Sequence, residues 1–321
     1  MLLRLFSVAK NTFTETLRQP IFAIIIVFSL FLMLLAPSIS MYTMDEDIKL
    51  LRELGLSTLF LAGLFIAVFS STGAITEEIE TGTITTVLSK PISRPVFVLG
   101  KFFGIAAAVT IGHALVTMAF LMVTRHGVLE TANDTVDWTV VAAAGSVILL
   151  TIFLTFFLNY VYEWNAPSTG VVLGTIFSGF SILFLFFVDR EWKFNPAGNN
   201  FEAFDIIASG LLLFAVYVLV ALAVLFSTRF NEVLTLTLCI GVFLLGLISD
   251  WVFGRFADQQ VWAKIGAILT PNLQIFWVSD AIYESGTIPI RYLWLAGSYT
   301  LLYTAGILAL AVASFQRRQV G

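Results

Sequence analysis

Apolar and polar positions fall into long blocks along this chain. Runs of about 20 predominantly apolar residues, the length a helix needs to cross a bilayer, lie near 21–41, 55–75, 97–124, 138–161, 169–188, 205–227, 233–249 and 292–315. The pattern predicts an all-α polytopic membrane protein with about eight transmembrane helices. The seventh run is short. A half-apolar stretch at 263–282 contains Lys264, Asn272, Gln274 and Asp280. These argue against a crossing and leave a surface or re-entrant helix inside an outer loop, 250–291. Ahead of the first run, Leu2, Phe6, Ala9, Phe13 and Leu17 recur at helical spacing, with Arg4, Asn11, Glu15 and Arg18 on the other faces. Residues 1–19 therefore read as an N-terminal amphipathic helix at the membrane interface, and 20–321 as a single transmembrane domain.

Composition agrees with the pattern. Apolar residues make up 59% of the chain and charged residues 12%, against roughly a quarter charged in soluble domains. Mean hydropathy is +0.95. A single cysteine, Cys239, and two histidines, His113 and His126, leave little for a disulfide framework or a metal site. No basic stripe of the kind that nucleic-acid binding requires is present. The first eighteen residues interleave charge with apolar positions, so no cleavable signal peptide is expected there.

An even number of spans puts both termini on one side. With the termini cytoplasmic, nine Lys/Arg fall inside and eight outside, and Arg317 and Arg318 directly follow the last run. The positive-inside rule favours this orientation by a narrow margin. The expected location is the bacterial inner (plasma) membrane, multi-pass, with both termini cytoplasmic.

One polar segment stands out, "EEIETGTITTVLSKPISRP" at 77–95, within a predicted cytoplasmic loop at 76–95. Thr76 or Thr83 is placed to cap a short helix whose stripe is Ile84, Val87 and Leu88. Gly82 breaks the preceding turn, and Pro91 ends the short helix. Glu77, Glu78 and Glu80 lie on one side of the break, with Lys90 and Arg94 on the other. Periodicity alone fits a partner-binding elbow and an ordinary solvated loop equally well.

The stretch "EEIETGTITTVLSKPISRPVFVLGKFFG" resembles the corresponding loop of ABC-2 type transporter permeases. "TPNLQIFWVSDAIYESGTIPIRYLW…FQRR" is similar to that family's last outer loop and final span, and "LAVLFSTRFNEVLTLTLCIGVFLLG" to its penultimate hairpin. The resemblance implies a permease subunit that forms the translocation pathway over separate ATP-binding subunits, more often as an exporter. Glu77, Glu78, Glu80, Gly82, Thr83, Leu88, Pro91, Ser93 and Arg94 would then form the coupling helix region that docks on the ATPase. It further implies a second permease copy or a paralogue. No cofactor is expected in this chain, since ATP and Mg would sit in the partner ATPase. Six spans are common in that family, so 138–188, joined by "EWNAPST", reads as a surplus pair.

The chain lacks G-x-x-x-x-G-K-[ST], H-E-x-x-H and G-x-S-x-G, so no enzymatic activity is expected of it. His113 is the one ionisable residue placed mid-span, either lining the pathway or donating to a backbone carbonyl of a neighbouring helix. Asp189, Asp205 and Asp250 are expected at outer span ends, in reach of water. Gly100/Gly104 and Gly170/Gly174 have the spacing for close helix approach. Two alternatives remain. An ion-coupled secondary transporter calls for a midplane acid, and none is evident. A membrane-embedded lipid-modifying enzyme would have to be assembled from scattered acids.

Overall fold

One helix is surrounded by the others. A computed structural model describes residues 2–41, 47–80, 93–129, 134–257, 259–278 and 287–316, with Glu80 described in its backbone alone. In chain order the helices are α1 (Leu2–Arg18), α2 (Pro20–Ser40), α3 (Asp47–Ser71), α4 (Arg94–His126), α5 (Trp138–Tyr162), α6 (Ala166–Phe187), α7 (Ala203–Ser227), α8 (Glu232–Leu247), α9 (Val261–Leu269) and α10 (Ile290–Gln316). From Leu211 to Val224, α7 buries residues on every face, as a helix that is apolar all round must. Helices α3, α4, α8 and α10 pack around it. Among the described residues, no β-pairing goes beyond the bridge Val188–Phe194.

Helices α2 to α7 and α10 are long and apolar enough to span a bilayer. The seventh predicted run behaves differently. Helix α8 has only 16 residues, and the chain then bends by 69° into the turn Ser249–Phe256. At about 1.5 Å per residue, α8 alone falls short of a full crossing, so the described residues hold seven long spans and one bent pair.

The stretch after α8 re-enters the bundle. Nine-residue α9 leads into irregular backbone that runs alongside α10. Tyr303, at the midpoint of α10, donates its hydroxyl to Leu269 O at 2.7 Å. Tyr299 accepts from Asn272 N at 2.8 Å, and Tyr292 donates to Ile275 O. Leu273 N reaches Gly246 O on α8 at 3.0 Å. Irregular backbone is tolerated at this depth only where the protein itself satisfies its polar groups, and the three tyrosines do so rung by rung. Asp280 lies outside the described residues.

Two glycine pairs had been expected to mark close contacts, and they separate cleanly. A Cβ on Gly104 would come within 2.5 Å of Ala9 O, and one on Gly100 within 2.6 Å of Val8. There α1 and α4 touch backbone to backbone. At Gly170 and Gly174 the nearest atoms stand 3.5 Å away, so α5 and α6 do not need glycine. The face that α1 turns to the protein is also shifted from the expected one. Thr12, Thr16 and Leu17 are buried, whereas Leu2 and Phe6 are exposed, because the contact follows the α4 glycines and not the most apolar stripe.

At the end opposite α1, α4 finishes in a fully buried cation. Arg125 Nε lies 3.4 Å from Asp137 Oδ2, and its guanidinium also donates to Leu185 O, to Val188 O at 2.8 Å and to Thr139 Oγ1 at 3.1 Å. Asp137 caps α5 by accepting from Thr139 N and Val140 N. One clasp thus joins α4, α5 and α6. Asp205 corrects the expectation of a solvated outer acid. It is only 2% exposed, at the start of α7, with Arg52 Nε of α3 at 2.8 Å from its Oδ1. A carboxylate at a span end stays buried when the neighbouring helix supplies a cation.

Burial pushes the Asp137 carboxyl up, but hydrogen bonds from Thr139 and Val140, with Arg125 and Arg190 nearby, outweigh it and hold it below the usual range. A depressed carboxyl contributes stability that is present above its unfolded-state value and lost as pH falls through the folded one. Asp137→Asn keeps a capping side chain yet strands Arg125, and is expected to cost up to about 3–5 kcal/mol in equilibrium unfolding in detergent micelles. The acid loss of stability expected of the wild type should flatten in this variant. Gly104→Val should loosen α1 at a cost of about 1–3 kcal/mol, read in the same assay, while Gly174→Ala should be tolerated.

Candidate functional site

Where α3 leaves the bundle, its helix changes type. Residues Thr72–Thr76 form a π turn, closed by Glu77 N donating to Thr72 O, and the chain continues as a turn of α-helix, Glu77–Glu80. A π turn inserts one extra residue and so rotates the next turn about the helix axis. Gly73 faces Gln19 so closely that a Cβ there would overlap Gln19 Nε2. The short helix that Thr76 or Thr83 was expected to cap, with its stripe Ile84, Val87 and Leu88, lies outside the described residues; Thr76 itself faces α7. Its hydroxyl reaches across to Ser227 O at 3.3 Å and Phe230 O at 3.4 Å, at the end of α7.

Beyond the π turn the chain is fastened by charge. Lys101, one turn into the buried part of α4, is 2% exposed, and its Nζ lies 2.7 Å from Glu78 Oε1 and 3.7 Å from Glu15 Oε2 of α1. Its ammonium also sits 5.5 Å from the centre of the Phe97 ring. A lysine this deeply buried keeps its charge only with a carboxylate beside it. The pair therefore ties the end of α3 to α4, with Glu15 of α1 at its edge.

The last helix is fastened at the same end. Arg94 donates to Phe315 O at 3.2 Å and to Gln316 O, with its guanidinium 5.8 Å from the Phe315 ring centre. Arg229 donates to the Ser314 hydroxyl at 2.8 Å and to Ser314 O. The last carbonyls of a helix lack partners within it and carry partial negative charge, so Arg94 at the start of α4 and Arg229 in the turn after α7 satisfy both needs. Phe97 stacks on Phe315 at 5.5 Å beneath them.

Of the residues predicted for partner contact, Glu78 and Arg94 are thus held inside this set of fastenings. Glu77 and Ser93 are exposed, Ser93 in the N-cap position of α4. Gly82, Thr83, Leu88 and Pro91 lie outside the described residues, as does the side chain of Glu80. His113 sits apart, 7% exposed at mid-span, its Nε2 2.9 Å from Ser209 O of α7. This is the structural arrangement that the sequence had offered as one of two readings. One turn away, Thr110 Oγ1 and Tyr217 OH of α7 lie 2.8 Å apart. Among the described residues, no group of three or more His, Cys, Asp or Glu is placed to hold a metal ion.

Sequence reasoning missed Lys101 as a functional position and counted it only as a charge. The signal was present, since a lysine four residues inside an apolar run demands a nearby acid, and Glu78 lies just across the loop.

Spans arranged around a buried apolar helix, with polar contacts concentrated at their ends, define an all-α polytopic membrane protein. Residues 6–162 match the model of a family described as ABC-2 family transporter protein. The match supports an ABC-2 type permease and, with it, a role as the membrane component of a transporter. Comparison with curated proteins gives no match. The matched stretch contains Glu15, Glu78, Lys101 and His113 and runs to the end of α5. Half of the pair read as surplus is therefore inside the matched region.

Lys101→Met would strand Glu78 and is expected to destabilise the protein by about 3–5 kcal/mol. Glu15→Gln, at the longer contact and at a half-exposed position, should cost less than about 1 kcal/mol. Lys101→Met combined with Glu78→Leu should recover most of the loss, measured as detergent-micelle unfolding. Equal losses for the single and double variants would show that the pair is not what fastens α3 to α4.

Proposed function

We propose that this chain is the membrane-spanning subunit of an ABC transporter and that residues 76–95 couple it to separate ATP-binding subunits. The observation that supports this reading is how the loop is anchored. Its first limb is fixed to α4 by Glu78–Lys101, and its second limb to the end of α10 by Arg94. A force on the intervening residues enters α3, α4 and α10 together. That suits a chain that transmits the closure of an ATPase to its spans and does no chemistry of its own.

In this reading two permease copies, or one with a paralogue, form the pathway, both termini are cytoplasmic, and transport is outward. His113 packs α4 against α7, so any contribution it makes to the pathway is to hold these two helices in register.

The reading is tested by replacing residues 81–92 with a Gly/Ser linker of equal length. The fastenings at Glu78 and Arg94 remain, so the spans should fold with unchanged thermal stability. A P-loop ATPase that co-purifies with the wild-type chain in mild detergent should be lost, together with the stimulated ATP hydrolysis. Unchanged co-purification of the ATPase, or none with the wild type, would remove the coupling assignment.

A further inference from the structure

The turn between α5 and α6 faces the last turn of α1 across a cavity of about 490 Å³, lined by Arg18, Glu163, Trp164, Asn165, Ser168 and Thr169. That is within the range of roughly 300–1,000 Å³ for small-molecule sites. Two opposite charges share its wall. Arg18 and Glu163 are not close enough to pair with each other, and among the described residues neither side chain has an ion-pair partner. Both side chains are exposed at the mouth of the cavity, and an uncommitted cation and an uncommitted anion across it leave room for a ligand carrying both charges.

The turn is built to hold its shape. Asn159 Nδ2 donates to Trp164 O at 2.6 Å. Asn165 Oδ1 accepts from Ser168 N at 3.1 Å, and the Ser168 hydroxyl donates to Asn165 O at 3.1 Å. The other atom of that amide, Asn165 Nδ2, stays free to donate toward the cavity. Glu163 closes α5 in the left-handed region, at φ 57°. Glycine is the residue that takes such a position without strain, so a glutamate there carries its side chain at a conformational cost.

The surroundings are those of a bilayer interface. Exposed Ile21 and Ile24 follow Arg18 on α2, and the exposed rings of Tyr160, Tyr162 and Trp164 gather at the end of α5. Apolar side chains on one side, polar groups on the other and amphipathic rings at the seam are the composition of the headgroup level.

We propose that this cavity binds the phosphoethanolamine head of a bilayer lipid. Arg18 and Asn165 Nδ2 take the phosphate, Glu163 takes the ammonium, and the acyl chains run along Ile21 and Ile24. Phosphocholine has no N–H to offer Glu163, and phosphoglycerol would set an uncompensated anion against it. The site therefore selects phosphoethanolamine over both.

The test uses the full chain in nanodiscs of phosphatidylcholine doped with phosphatidylethanolamine or phosphatidylglycerol. Retained lipid is counted by native mass spectrometry after transfer to detergent, and thermal unfolding is followed alongside. Phosphatidylethanolamine should be retained and should raise the melting temperature. Arg18→Gln and Glu163→Gln should each weaken retention about tenfold, the scale of one charge-assisted contact.

Glu163→Gly separates a ligand role from a fold role. It relieves the left-handed strain, so it should melt higher than wild type without phosphatidylethanolamine and gain nothing from adding it. Soluble glycerophosphoethanolamine at equal concentration should fail to displace the lipid. Equal retention of phosphatidylglycerol, retention unaffected by Arg18→Gln or Glu163→Gln, or full displacement by the soluble head would each overturn the proposal.

Discussion

Within the hydrocarbon of a membrane there is no water to satisfy a polar group, so each one must find its partner inside the protein. That constraint sorts this chain. Its middle is nearly pure hydrocarbon, with α7 buried on every face from Leu211 to Val224. Its most deeply placed cations, Lys101, Arg52 and Arg125, lie toward the ends, where each meets an acid. Lys101 meets Glu78, Arg52 meets Asp205, and Arg125 meets Asp137 together with the carbonyls of Leu185 and Val188. Where irregular backbone does descend between the helices, at 269–275, three tyrosines of α10 take the place of water.

The distribution of these fastenings divides the bundle. Helices α3 and α4 are held at both ends, α3 by Arg52 and Glu78, α4 by Lys101 and Arg125. They form a frame with α7, which Asp205 and the Thr76 hydroxyl tie to α3. Helices α5 and α6 are different. The Arg125 clasp fixes them at one end, α6 packs on α4, and α5 exposes long apolar rows such as Ile148, Leu149, Phe153 and Phe156. At their other end lies the polar turn with Glu163, open toward α1. Helix α5 meets the bundle chiefly through α6, which itself packs on α4 with further contacts to α1 and α2.

The apolar periodicity made most of this architecture legible. Seven helices lie where the runs of apolar residues put them, because a spanning helix needs little beyond length and hydrophobicity. The bent pair at Ser249 was not legible. Nothing in "LLGLISDWVFG" breaks a helix as proline would, and the chain that packs against Gly246 beside the bend, at Pro271 and Leu273, is far along the sequence. Asp205 was misjudged for a related reason. A carboxylate at a span end looks solvated until Arg52, more than 150 positions earlier, is seen beside it. His113 was readable as a mid-span residue with two options, and its contact with Ser209 O came only with the position of α7. Of the loop 76–95, the sequence revealed composition and resemblance but not the partners of Glu78 and Arg94, which come from α4 and α10.

On the proposed reading, the Glu78–Lys101 pair has a mechanical consequence that an apolar contact would not. Apolar faces in a bilayer slide at little cost, since lipid tails replace the lost contacts almost in kind. A buried ammonium cannot leave its carboxylate without exposing both charges to a medium that solvates neither. The exit of α3 and the entry of α4 are therefore constrained to move as one unit, while the π turn just above, with its extra residue, is the place where α3 can give. Motion imposed on the loop would be taken up between Thr72 and Thr76, at the level where Thr76 grips the end of α7, and carried from there into the buried centre of the bundle.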